Sequence, residues 1–206
     1  MFNGYLIRMN KRLFKIHPIM IPFLLFFYLS GEIALYAIVF GSLLFHELGH
    51  LLAAKLIGIK VNSCTILPYG GEISMQQFSK IEKKNQLFVI IAGPFFTLLL
   101  LIIGSLVEFP QKDVMLFTQM AILCLNLLPI YPLDGGRALY VFIPNKYTEM
   151  IAFSFCCSTI IFSVSLYYFP RALSISFIFL LLMFQNYSYW NFRKYKLAFE
   201  KLSKST

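Results

Sequence analysis

"FHELGHLLAAKL", Phe45 to Leu56, sets two histidines and a glutamate inside a run that otherwise reads as membrane interior. His46, Glu47 and His50 form H-E-x-x-H. On an α-helix, positions i and i+4 share a face, so both imidazoles can reach one ion, and the adjacent glutamate can serve a metal site as general base. The bland reading is two core histidines and a snorkelling acid. It is the weaker one, because ionisable groups inside a span are costly and mark function by default.

The composition around this stretch decides the class. The chain has 206 residues, 59% hydrophobic and only 13% charged, where soluble domains carry about 25% charged residues. There are too few polar side chains to cover a globule. The expectation is an all-α polytopic membrane protein with six helices: Pro18–Leu29, Ile33–Ile57, Leu87–Val107, Val114–Leu133, Glu149–Tyr168 and Leu173–Trp190. The first is short, and His17 precedes it at the membrane edge.

The net charge of +9 is spread in clusters between apolar runs, which argues against a nucleic-acid binder. With this topology, 16 of the 18 Lys and Arg fall on one side and only Lys112 and Arg171 on the other. The positive-inside rule then puts both termini in the cytoplasm. Four cysteines (Cys64, Cys124, Cys156, Cys157) lack metal-ligand or disulfide spacing.

Residues 59–79, "IKVNSCTILPYGGEISMQQFS", interrupt the helical pattern. Thr, Val and Ile flank Gly70-Gly71, the pattern of a β-hairpin, with an ordinary loop as the alternative. An edge strand over Val61–Ile66 would hold an unwound substrate by strand addition. After Trp190 the basic tail reads as a short surface helix or a solvated anchor.

A catalytic zinc site uses three protein ligands and leaves a fourth position to water. Asp134 is the expected third ligand, since His50 lies about 12 Å from the cytoplasmic end of its span and Asp134 ends its own span on that side. Glu72 is the runner-up, and "DGG" alone would read as a turn. In "NLLPIYPLDGGR", Asn126 to Arg137, Pro129 and Pro132 break a backbone ladder, which membranes tolerate only where the chain is buried in protein or lines a wet cavity. Asn126 is a donor for substrate or for the oxyanion formed at the carbonyl. A polar contact between helices is an equal alternative.

Together, "HELGH", "AGP" (Ala92–Pro94) and "NLLPIYPLDGG" resemble the site-2 protease family of intramembrane metalloproteases, and "KIHP", "LLPYGG" and "IIAGP" resemble its sporulation branch. The likeness covers most of residues 11–190. It implies a metalloendopeptidase with one zinc ion held by His46, His50 and Asp134, with Glu47 as catalytic base. Asn126 and Pro132 fall on family positions associated with substrate. It further implies a membrane-associated substrate such as a sporulation sigma-factor precursor, inhibitory membrane-protein partners, and residence in the bacterial cell or forespore membrane.

Residues 1–190 would form the protease domain and 191–206 a basic cytoplasmic tail, with no nucleotide-sensing domain after it. Many family members carry Asn three residues after "AGP"; Thr97 stands there, and no role passes to it. The rival reading is a membrane metal transporter or metal-dependent scaffold using the same ligands, and Glu47 discriminates between them, since a carrier has no use for a general base there.

Overall fold

A computed structural model describes residues 14–16, 18, 20–29, 31, 33–67, 70–75, 78–168 and 173–205. His17 lies outside them, as does the side chain of Glu72. The chain divides into two compact units, Met1–Ile122 and Leu123–Thr206.

The first unit contains β1 (Phe14–Ile16), α1 (Met20–Leu29), α2 (Ile33–Leu56), β2 (Val61–Leu67), β3 (Gly70–Met75) and α3 (Lys83–Leu106), followed by most of α4 (Lys112–Asn126). At 24 residues each, α2 and α3 extend about 36 Å, more than the ~30 Å hydrocarbon core. On α3 the exposed side is apolar, with Phe88, Ile91, Phe95, Ile102 and Leu106 along it. That stripe suits lipid rather than water.

The run that α2 begins stops for a local reason. Gly58 takes a φ of +75°, a left-handed conformation that glycine adopts without steric cost. The N–H of Ile59 then bonds the Ala54 carbonyl, and the N–H of Gly58 bonds that of Lys55, the paired bonds of a Schellman cap. The chain leaves the helix directly into the sheet.

The expected hairpin is present. β2 and β3 pair antiparallel, with Thr65 opposite Glu72 and Leu67 opposite Gly70. β1, which nothing in the sequence pattern announced, pairs parallel with β2 through Phe14–Cys64 and Ile16–Ile66. The strand order β1-β2-β3 corrects one expectation: Val61–Ile66 lies on the central strand and not at an edge. Among the described residues, β1 and β3 are the edge strands. A core of Ala53, Ala54 and Val89, extended by Ile57, Val61, Met75 and Phe78, fixes this sheet to the Lys55 end of α2.

The second unit holds the end of α4, an irregular segment over 127–133, α5 (Asp134–Phe142), α6 (Tyr147–Tyr167) and α7 (Leu173–Ser205). The fourth expected span ran to Leu133, but its helix ends at Asn126. Pro129 and Pro132 supply no N–H to the i−4 carbonyls, so the ladder cannot continue. α6 and α7 pack in two clusters: Phe179 and Leu182 of α7 with Cys157 and Ile161 of α6 and Ile130 of the irregular segment, and Tyr147, Met150 and Ile151 of α6 with Tyr189 and Trp190 of α7.

α7 also departs from expectation by running on to Ser205 as one 33-residue helix, with no break at Trp190. Two of its basic residues have partners within the unit. The Arg193 guanidinium lies 3.8 Å above the Trp190 ring and the Lys196 ammonium 3.8 Å above that of Tyr147, so cation–π attraction favours continuing the helix along the protein.

Among the described residues, three helical stretches, Ile33–Leu56, Lys83–Leu106 and Pro144–Tyr167, are long and apolar enough to cross a membrane. The expected six spans are not all of that length: α1 has 10 residues and α4 has 15.

Candidate metal and catalytic site

In the first unit, α2 and α3 approach closely because Gly49 has no side chain. A Cβ there would stand 2.9 Å from Phe96 Cγ and against the Ala92 carbonyl. The antiparallel approach sets His46 opposite Thr97 and His50 opposite Val89. Both histidines are buried.

Each imidazole is fixed through its Nδ1. His50 Nδ1 lies 2.8 Å from the Val89 carbonyl oxygen. A carbonyl only accepts, so that nitrogen carries a proton. His46 Nδ1 lies 2.8 Å from Thr97 Oγ1. Thr97, itself fully buried, donates its hydroxyl proton to the Gly93 carbonyl at 3.3 Å. Its oxygen is then the acceptor for His46 Nδ1–H. Hydrogen bonds of this kind set the tautomer and orientation of metal-binding histidines.

The two Nε2 atoms face each other 3.2 Å apart. Two nitrogens at about 2.0–2.1 Å from a tetrahedral zinc would stand about 3.3–3.4 Å apart, close to the spacing found. The residues present therefore fit the metal.

Gly93 makes room for this pair. A Cβ on it would collide with the His50 ring and come within 2.7 Å of His46 Nε2. No side chain but hydrogen fits there. Gly93, Thr97 and the Val89 carbonyl were missed as functional groups in the sequence, although "AGP" was noted. An isolated glycine within an apolar helix was the available signal, since it weakens a helix unless something needs the space.

Glu47 follows His46 on α2 and is half-buried. Its carboxylate charge reaches β2. Burial, and secondarily the charge of Glu47, push the Cys64 thiol up to about 11. Cys64 is therefore a protonated thiol at neutral pH.

The remaining expected site residues belong to the second unit. Asn126 is the last residue of α4. Pro132 lies in the irregular segment, after a cis peptide bond from Tyr131. Asp134 is the first residue of α5 and is buried. The N-terminal end of a helix favours the anionic carboxylate. The two glycines after it are required by close packing: a Cβ on Gly135 would overlap the carbonyls of Leu127 and Leu128, and one on Gly136 the backbone of Ile130 and Tyr131. "DGG" is thus both the start of a helix and the place where that helix lies against the preceding loop.

The model of peptidase family M50 matches residues 34–112, the stretch carrying HELGH, the hairpin and α3. The chain is 34% identical over 122 residues to a zinc metalloprotease of Methanocaldococcus jannaschii, an alignment covering 55% of this chain and 35% of that protein. It is likewise 34% identical over 104 residues to stage IV sporulation protein FB of Bacillus subtilis, covering 48% and 36% respectively. These alignments span less than half of either relative's length. A solved structure, the site-2 protease from Methanocaldococcus jannaschii, shares the fold with a TM-score of 0.65 at 24% identity, over 86% of this chain and 90% of that one. The resemblance to the site-2 proteases is borne out.

Proposed function

We propose that this relative of the M50 peptidases is an intramembrane zinc metalloendopeptidase that cleaves a membrane-associated protein. The observation that carries the reading is the imidazole pair: two Nε2 atoms 3.2 Å apart, each ring tied behind by its Nδ1, with Glu47 next to His46 in sequence. His46, His50 and Asp134, all buried, offer two nitrogens and a carboxylate oxygen, the three-ligand set of a catalytic zinc. One ion is proposed to be held there.

When bound, zinc polarises a carbonyl and lowers the pKa of a water towards about 7. The chain's own residues do the rest. Glu47 takes the proton from the attacking water and returns it to the leaving amine, as a general base and then a general acid. Asn126 and Pro132 are proposed to engage substrate. For Asn126, a hydrogen bond to the carbonyl being attacked would grow stronger as charge develops on its oxygen. The cytoplasmic placement of both termini rests on the distribution of Lys and Arg. A sporulation sigma-factor precursor and inhibitory membrane partners are candidates on the strength of the resemblance alone.

A transporter or scaffold built on the same ligands is not favoured, because it leaves Glu47 without a task. Co-expression with a membrane-tethered candidate precursor separates the two. Glu47→Gln is expected to retain metal and to lose processing by about 10²–10⁴-fold, the usual contribution of a general base. Equal processing by wild type and variant would overturn the protease reading.

A further inference from the structure

Asp134 follows a segment that has left the helix, and its backbone polar groups need partners within the protein. The turn closes locally where Leu133 N–H bonds the Ile130 carbonyl at 2.9 Å. Tyr131, at its centre, is held from outside. Its N–H donates to Ser154 Oγ of α6 at 2.9 Å, and its carbonyl accepts from Asn186 Nδ2 of α7 at 2.8 Å. Asn186 donates its second hydrogen to the Leu182 carbonyl, 2.9 Å away. Both partners are carbonyls, so the orientation of the amide is fixed: only the NH₂ can face them. Ser154 and Asn186 are both completely buried.

The Tyr131 side chain is held as well. Its ring packs edge-on against Tyr189, Tyr147 and Tyr140 at centroid distances of 5.2, 6.2 and 6.4 Å. Two later helices, through residues 23 and 55 positions away, thus secure one residue three positions before Asp134. A buried asparagine in an apolar helix is costly unless its hydrogen bonds are used; here both amide hydrogens are used on main-chain carbonyls, while Oδ1 makes no hydrogen bond among the described residues.

We infer that Asn186, with Ser154, is a positioning residue for Asp134: by clamping the Tyr131 backbone, the pair sets where the carboxylate begins α5 and so how well it serves as a metal ligand. The inference rests on the reading of Asp134 as a zinc ligand. Neither residue touches substrate or metal; both act through the loop.

The test is zinc affinity of the full chain in detergent, measured by chelator competition on folded protein. Asn186→Leu is close in size and lacks the donor. It is expected to weaken zinc binding about 10–100-fold, the usual effect of losing a group that orients a ligand. Ser154→Ala, the milder change, should shift it in the same direction by less. In an Asp134→Asn background, Asn186→Leu should produce no further loss, because no carboxylate is left to position. A general weakening of the fold would instead lower affinity in both backgrounds, and that result overturns the inference. So does unchanged affinity in both Asn186→Leu and Ser154→Ala while Asp134→Asn loses zinc, which leaves the ligand reading standing. If Asp134→Asn itself binds zinc as wild type does, the ligand assignment fails and the positioning role fails with it.

Discussion

The two regions that supply the proposed ligands are built in opposite ways. His46 and His50 lie on an unbroken helix whose backbone is satisfied by its own ladder, so side-chain contacts are left to orient the rings. Asp134 follows a segment where the ladder is broken, and there side chains from α6 and α7 satisfy the backbone itself. A regular helix delivers ligands by spacing, whereas an irregular segment delivers one only if the surrounding helices hold it. The first design is sensitive to the space around the rings and the second to the partners of its main chain.

That contrast can be broken most sharply on the helical side. Gly93→Val would drive a branched side chain into both imidazoles. Zinc binding and peptidase activity are expected to fall below detection, as read by metal content and by processing of a tethered substrate. A Gly93→Val protein that keeps its zinc would refute the geometry. Thr97→Val removes the acceptor behind His46 and keeps nearly the same shape. Zinc affinity should drop about 10–100-fold, and Thr97→Ser should restore most of it in the same chelator competition. On the irregular side, Lys196→Gln removes the cation above Tyr147, Tyr140 and Tyr131. The loss should be smaller, about 0.5–2 kcal/mol of stability, seen as a modestly lower unfolding temperature with zinc affinity close to that of wild type.

The same contrast explains what was legible in the sequence. H-E-x-x-H announces itself because one helical turn separates its ligands. The hairpin announces itself through Gly70-Gly71 and β-branched neighbours. Thr97 stands 51 residues from His46 and Val89 stands 39 from His50, and no local pattern encodes such pairings. β1 has only three residues and exists through pairing with β2, so its own sequence carries little signal. The end of α4 was read too far along because the apolar run continues past Asn126, although the two prolines do not allow the helix to. The continuation of α7 was hidden for the converse reason: its charged residues look like a solvated tail until Arg193 and Lys196 are seen over aromatic rings.

Two imidazoles and a carboxylate are proposed to hold a zinc ion beside Glu47. X-ray absorption at the zinc edge of the purified full chain tests it most directly. The expected spectrum has two imidazole scatterers and oxygen donors at about 2.0–2.1 Å, with one histidine contribution lost in His46→Ala. A sulfur scatterer near about 2.3 Å, as would arise if Cys64 took the metal, would contradict it.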